Sequence, residues 1–166
     1  MLRLLLLADT HLRADRIDRL PSPVIEAAGS ADVILHAGDV VSSALLDRLA
    51  ELAPVHAVCG NNDHELVSVL PERLELELDG VAVAMVHDAG ARKGRAGRLR
   101  RWFPAADVVV FGHSHQPWAE RVEGGPLLLN PGSPTQRRRE PHATFALLDL
   151  DRGWVADVRH VNVDRT

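Results

Sequence analysis

The 166-residue sequence has a single cysteine, no apolar run of membrane-spanning length and no surplus of basic charge. Cys59 has no partner in the chain for a disulfide, so no oxidising compartment is called for and a reducing cytoplasm is the expected location. A membrane-spanning helix takes about 18 or more consecutive apolar residues. The opening Met1-Leu2-Arg3-Leu4-Leu5-Leu6-Leu7-Ala8 falls short of that and runs straight into Asp9-Thr10-His11, so it reads as a buried strand rather than a signal peptide, and no membrane association is expected. A net charge of −4 lacks the broad basic field of a duplex-binding protein, so stable nucleic-acid binding is not expected either. Repeats, low-complexity tracts and dividing linkers are also missing. With 166 residues, the expectation is one domain over 1–166.

What is present is a series of short apolar runs bounded by Gly, Asp, Asn or Pro. Leu2 to Ala8, Val33 to Ala37, Val55 to Cys59, Val81 to Val86, Val108 to Phe111 and Leu127 to Leu129 have the continuous apolar character of strands buried on both faces. Ser42 to Leu52 has helical spacing, with Leu45, Leu46, Leu49 and Leu52 on one side and Ser42 placed to cap the start. The first half therefore reads β-α-β-α-β. Two hairpins interrupt that pattern. The alternating Leu74 to Leu78 meets Val81 to Val86 across Asp79-Gly80, and Ala143 to Leu150 meets Trp154 to Val161 across Asp151-Arg152-Gly153.

Nine histidines is a high number for this length, and several stand beside Asp, Asn or Gly where an apolar run ends. Ala8-Asp9-Thr10-His11, Gly38-Asp39, Gly60-Asn61-Asn62-Asp63, Val86-His87-Asp88 and Gly112-His113-Ser114-His115 all follow strands. Ligands of open α/β sheets bind beyond the carboxyl ends of the strands, which brings these segments to one rim. Asp9-x-His11 and His113-x-His115 can each turn two donors toward one ion if the chain stays extended past the strand end. The Gly before Asp39, Asn61 and His113 lets the backbone come close. Mixed Asp, Asn and His donors suit borderline divalent ions such as Mn²⁺, Fe²⁺, Ni²⁺ or Zn²⁺ rather than Ca²⁺.

The ordered set Asp-x-His, Gly-Asp, Gly-Asn-x-Asp, His, Gly-His-x-His resembles the calcineurin-like metallophosphoesterase superfamily. Asn130-Pro131-Gly132-Ser133, followed by Pro134-Thr135-Gln136-Arg137, is similar to its small bacterial and archaeal phosphodiesterase branch, to which a eukaryotic retromer subunit also belongs. The resemblance implies an α/β fold, a four-layer αββα sandwich of two mixed β-sheets flanked by helices. It implies a hydrolase with two divalent metal ions, Mn²⁺ first among them. Asp9, His11 and His115 would hold one ion, Asn61, His87 and His113 the other, with Asp39 bridging them and a water or hydroxide between as nucleophile. Asp39, Asn61, Asn62 and His87 would carry catalysis, and Asn62 and Arg137 would bind a small phosphodiester substrate. The superfamily commonly has histidine where Asn62 stands. An amide cannot act as a proton donor there, so leaving groups that depart unaided are expected to be favoured.

Other residues receive plainer readings. His64 is a weak substitute acid, and Asp63 a partner that orients a ligand. His36, His56 and His160 are structural, and His142 lies on a surface loop. The run Arg92 to Arg101 is a solvated helix face, with a phosphate-attracting rim as the alternative. Arg137-Arg138-Arg139 could clamp phosphate. Asn130 to Ser133 makes a turn beneath the metal-bearing loops, and Trp102, Trp118 and Trp154 belong to the core or an interface. A non-catalytic scaffold of the same fold is the competing function, though every ligand position is filled. Homo-oligomer formation is left open.

Overall fold

The computed structural model describes residues 1–164. The strands are β1 (Leu2–Leu7), β2 (Val33–His36), β3 (Val55–Ala57), β4 (Arg73–Leu78), β5 (Val81–Val86), β6 (Val108–Val110), β7 (Trp118–Arg121), β8 (Leu127–Asn130), β9 (Thr144–Asp151) and β10 (Trp154–Asn162). The α-helices are α1 (Ser22–Ser30), α2 (Ser43–Ala50) and α3 (Arg95–Trp102), and a 3-10 helix spans Ala14–Arg19. Two five-stranded sheets run β10-β9-β1-β2-β3 and β4-β5-β6-β8-β7. Each has three parallel strands; β9 and β10 add an antiparallel margin to the first sheet, and β4 and β7 run antiparallel at the two edges of the second. This is the expected α/β sandwich of two mixed sheets.

Period-2 burial explains why the strands read as unbroken apolar runs. In β1, Leu4 and Leu6 point between the sheets and Leu5 and Leu7 point into the helix layer, and all are fully buried. Val108 and Val110 likewise meet the inter-sheet core while Val109 packs under α3. The Ser42 hydroxyl accepts a hydrogen bond from Ala44 N–H at 3.2 Å and caps α2, which ends at Ala50 rather than Leu52.

Both expected hairpins form. Asp79 and Gly80 have φ of 50° and 78°, and Arg152 and Gly153 have 46° and 87°, as a two-residue turn with both central residues left-handed requires. The two turns also meet. Gly153 N–H donates to the Asp79 carbonyl at 2.7 Å and Arg152 N–H to its carboxylate at 2.8 Å, joining the sheets at the end remote from the strand carboxyl termini of β1 and β5.

The structure sharpens several expectations. Trp154 is 77% exposed at the start of edge strand β10, which removes the core half of its reading and leaves the interface half. Trp102 and Trp118 are half-buried against the core beneath α3 and covered by guanidinium groups, Arg73 at 4.2 Å and Arg92 at 4.3 Å from the ring centres. The run Arg92 to Arg101 is only partly solvated: Arg98 donates to the carbonyls of Ala89 and Ala91, and Arg95 lies over Phe111. β7 was not anticipated, because Trp118–Arg121 is mostly exposed and lacks the apolar signal.

Candidate metal centre

Seven side chains from five strand ends converge at one rim of the sandwich. Asp9 and His11 follow β1, Asp39 follows β2, Asn61 follows β3, His87 follows β5, and His113 and His115 follow β6. The chain does not stay extended there. Asp9, His11, Asp39, His113 and His115 all have φ between 47° and 70°, and Val41 has 78°. Side chains are therefore aimed by left-handed kinks rather than by strand alternation. Such backbone costs about 1–3 kcal/mol per residue and gathers at functional sites. Cross-loop bonds hold it: Asp9 N–H donates to Gly38 O at 2.9 Å and His11 N–H to Asp39 O at 3.0 Å.

Asp63 is the main brace. Its buried carboxylate accepts from Asp39 N–H at 3.0 Å, Gly60 N–H at 2.7 Å and Val41 N–H at 2.6 Å. The Asn130–Ser133 turn supports the other side. Asn130 Nδ2 donates to Gly112 O at 3.0 Å and Ser114 Oγ at 3.1 Å, and Ser133 Oγ donates to Asp9 O at 2.8 Å. Gly60 and Gly112 serve by lacking a side chain. A Cβ on Gly60 would lie 2.3 Å from Asp39 Oδ1, and one on Gly112 would lie 3.0 Å from Asp9 Oδ2.

The donor atoms fit divalent ions. Asp9 Oδ2 is buried without a hydrogen-bond partner, and burial pushes the Asp9 carboxyl up to about 7, with His87 pulling the other way. His115 Nδ1 lies 2.6 Å from Gln136 O, which fixes the proton there and leaves Nε2 bare. That nitrogen faces His11 Nε2 at 3.2 Å and Asp9 Oδ1 at 3.6 Å. Burial lowers His115 to about 4, and burial also lowers His11, so two neutral imidazoles and a carboxylate share one point. His87 Nδ1 is likewise committed to Ala37 O at 2.7 Å, turning Nε2 toward Asn61 Oδ1 at 2.9 Å. Asn61 Oδ1 also lies 3.0 Å from His113 Nδ1. Acceptors face one another here unless a proton or a cation lies between them. Burial opposes charge on His87, but the neighbouring Asp39 and the Ala37 carbonyl raise its pKa nonetheless.

Asp39 stands between the two groups, its Oδ2 lying 3.5 Å from His11 Nε2 and 3.4 Å from His87 Nε2. Burial works against its ionised form, but the facing His87 and the hydrogen bonds from Asn62 hold the pKa well below the ordinary range. Asn62 is turned inward: its N–H and its Nδ2 each donate to Asp39 at 2.8 Å. Arg137 donates to Glu140 O at 2.8 Å within its own loop. Arg138, which the sequence offered only as one of three, is the arginine whose charge is felt at Asp9, His11 and His115. Its left-handed φ of 52° had no sequence signal.

Among the outlying histidines, His36 is fully buried, bonded to Thr10 Oγ1 at 3.0 Å, and lowered by burial to about 3. His160 Nε2 donates to Asn130 O at 2.7 Å. His64 and His142 are exposed.

Two sheets with carboxylates, an amide and imidazoles gathered beyond the strand ends define a metallophosphoesterase. The chain belongs to the calcineurin-like phosphoesterase superfamily, whose domain model matches residues 2–153. It is 37% identical over 149 residues to a probable metallophosphoesterase of Methanothermobacter thermautotrophicus, covering 88% of this chain and 86% of that one. The structure of a predicted phosphoesterase from Streptococcus pneumoniae superposes with a TM-score of 0.76 at 25% identity, over 98% of this chain and 90% of that one. Zinc-complexed Vps29 of Entamoeba histolytica shares the fold with a TM-score of 0.70 at 22% identity, over 98% and 100% of the chains. Among the described residues, no helix is long and apolar enough to cross a membrane.

Proposed function

We propose that the protein is a two-metal phosphodiesterase acting on small diesters in the cytoplasm, with Mn²⁺ as the working metal. The observation that supports this best is the position of Asp39, whose Oδ2 lies within 3.5 Å of both His11 and His87. One ion would be held by Asp9, His11 and His115, the other by Asn61, His87 and His113, with Asp39 common to both. When bound, the ions would supply an activated water and offset charge on the phosphoryl oxygens.

The chain's own groups prepare that chemistry. Hydrogen bonds to carbonyls keep the protons of His87 and His115 on Nδ1, so Nε2 is presented to the centre. Asn62 orients Asp39 and offers no proton to a departing alkoxide, a contribution commonly worth about 10²- to 10⁴-fold. Diesters of acidic alcohols are thus favoured. Arg138 supplies positive charge above His113, with its Nη1 3.5 Å from His113 O, while Arg137 walls the adjoining cleft.

The test is hydrolysis of bis(4-nitrophenyl) phosphate by Mn²⁺-loaded protein. Turnover is expected, with Asp39→Asn reduced by more than the about 10- to 100-fold typical of a group that only orients a ligand. Asn62→His is expected to speed hydrolysis of alkyl diesters more than aryl ones. A wild type that binds Mn²⁺ without turnover would instead favour a protein-interaction scaffold, the second reading that likeness to Vps29 keeps open.

A further inference from the structure

Two clefts adjoin the ligand cluster, one at His11 and the other at His87, and their chemistry differs. The first, about 660 Å³, begins at Thr10 and His11. Arg16 and Arg19 from the 3-10 helix and Arg13 just before it line the cleft together with Arg137, which arrives from a loop more than a hundred residues later in the chain. The carboxylates lining it are Asp15 and Asp164. Asp15 is shared, lying 3.4 Å from Arg13 and 3.9 Å from Arg16, so guanidinium charge remains in excess. Leu12 and Pro21 add apolar surface.

The second cleft, about 540 Å³, begins at Asn61 and His87. Val67, Leu70, Val86 and Trp102 give it apolar walls, and Val67 is 66% exposed. Its one arginine, Arg73, is stacked 4.2 Å from the centre of the Trp102 ring, and Glu72 and Asp88 share the lining. This cleft has no excess of guanidinium charge and offers apolar surface to a ring or alkyl group. The first attracts anions, since guanidinium groups match phosphate oxygens in paired hydrogen bonds.

Building on the phosphodiesterase reading, we propose that the substrate is a diester with unlike arms: an alcohol bearing a second phosphate lies in the arginine cleft, and an apolar or aromatic alcohol lies against Trp102. A diester placed with its central phosphate beside Asp39 reaches both clefts at once, because His11 opens into one and His87 into the other.

The test uses Mn²⁺-loaded protein and two 4-nitrophenyl phosphodiesters, one with a propyl second arm and one with a 3-phosphopropyl second arm. The phosphorylated substrate is expected to have a KM lower by about tenfold or more, equivalent to about 1.4 kcal/mol. That preference should shrink as ionic strength rises. In Arg16→Glu/Arg19→Glu the ratio of kcat/KM between the substrates is expected to collapse, and Arg16→Gln/Arg19→Gln should fall between. Trp102→Ala is expected to raise KM for both substrates. Equal KM values in the wild type, or a preference that survives charge reversal, overturn the two-arm proposal while leaving the phosphodiesterase reading standing. No turnover of either diester overturns both.

Discussion

The two ends of the sandwich both contain left-handed backbone, yet they arrive at it differently. At the far end the kinks fall at Asp79-Gly80 and Arg152-Gly153, where a tight hairpin needs them and glycine takes half of each pair. At the rim they fall on Asp9, His11, Asp39, Val41, His113 and His115 as well as Gly38; Asp and His enter that conformation more readily than most side chains, but Val41 does not, and no tight hairpin there requires it. Local sequence makes the first set, and tertiary bonds impose the second. The far end is assembled from turns, whereas the rim is forced into shape by Asp63, the Asn130–Ser133 turn and close packing around Gly60 and Gly112.

The largest way to break this contrast is to remove the brace. Asp63→Ala leaves three backbone N–H groups near the rim without their acceptor. Denaturant unfolding is expected to show a loss of about 3 kcal/mol, and Mn²⁺ affinity by titration calorimetry should fall as well. Retained Mn²⁺ affinity would mean that the rim holds its shape without Asp63.

A second effect follows from charge. Because the folded metal-free protein holds the Asp9 proton up to about pH 7 while the unfolded chain releases it near 3.8, Asp9 contributes stability that is full below pH 3.8 and lost as pH rises through about 7. A divalent ion must displace that proton. Mn²⁺ is therefore expected to bind more weakly at pH 5.5 than at pH 8, and the Mn²⁺-induced rise in melting temperature should be larger at pH 8. A rise independent of pH would place the ion away from Asp9.

The smallest effect is the sharpest discriminator between the ends. Gly153→Ala introduces a methyl group whose nearest neighbour is 3.7 Å away, so only the φ of 87° resists it. It should cost about 1–2 kcal/mol and leave Mn²⁺ affinity intact. Gly112→Ala meets Ala8 Cβ at 2.9 Å and Asp9 Oδ2 at 3.0 Å. It should reduce Mn²⁺ affinity out of proportion to its effect on melting. Equal ratios of the two effects in both variants would erase the distinction.

The same contrast governs how much of the molecule is legible in its sequence. Strands buried on both faces announce themselves as apolar runs, and Asp79-Gly80 encodes its own turn. The gathering of the candidate ligands was legible because each cluster ends a strand. The way they are aimed was not, since Asp and His only tolerate a positive φ, and the bonds that select it at Asp9 or His113 come from other loops. For the same reason, Asn62 gave no sign that its amide turns inward to Asp39. The sequence pointed to Arg137 rather than Arg138 for the substrate, because only the fold of their loop decides which charge reaches the centre. Trp154 could not be assigned between core and interface, because a large apolar side chain on an edge strand has the same composition as one inside.

The docked turns at Asp79 and Gly153 carry a mechanical consequence. β1, β2 and β3 deliver Asp9, His11, Asp39 and Asn61, while β5 and β6 deliver His87, His113 and His115, so the centre straddles both sheets. The 2.7 Å bond from Gly153 to Asp79 pins the opposite end. The rim is bonded across the sheets as well, His87 Nδ1 to the Ala37 carbonyl at 2.7 Å, so one sheet can slide past the other only by breaking hydrogen bonds at both ends. The site therefore sits in a frame latched at both ends.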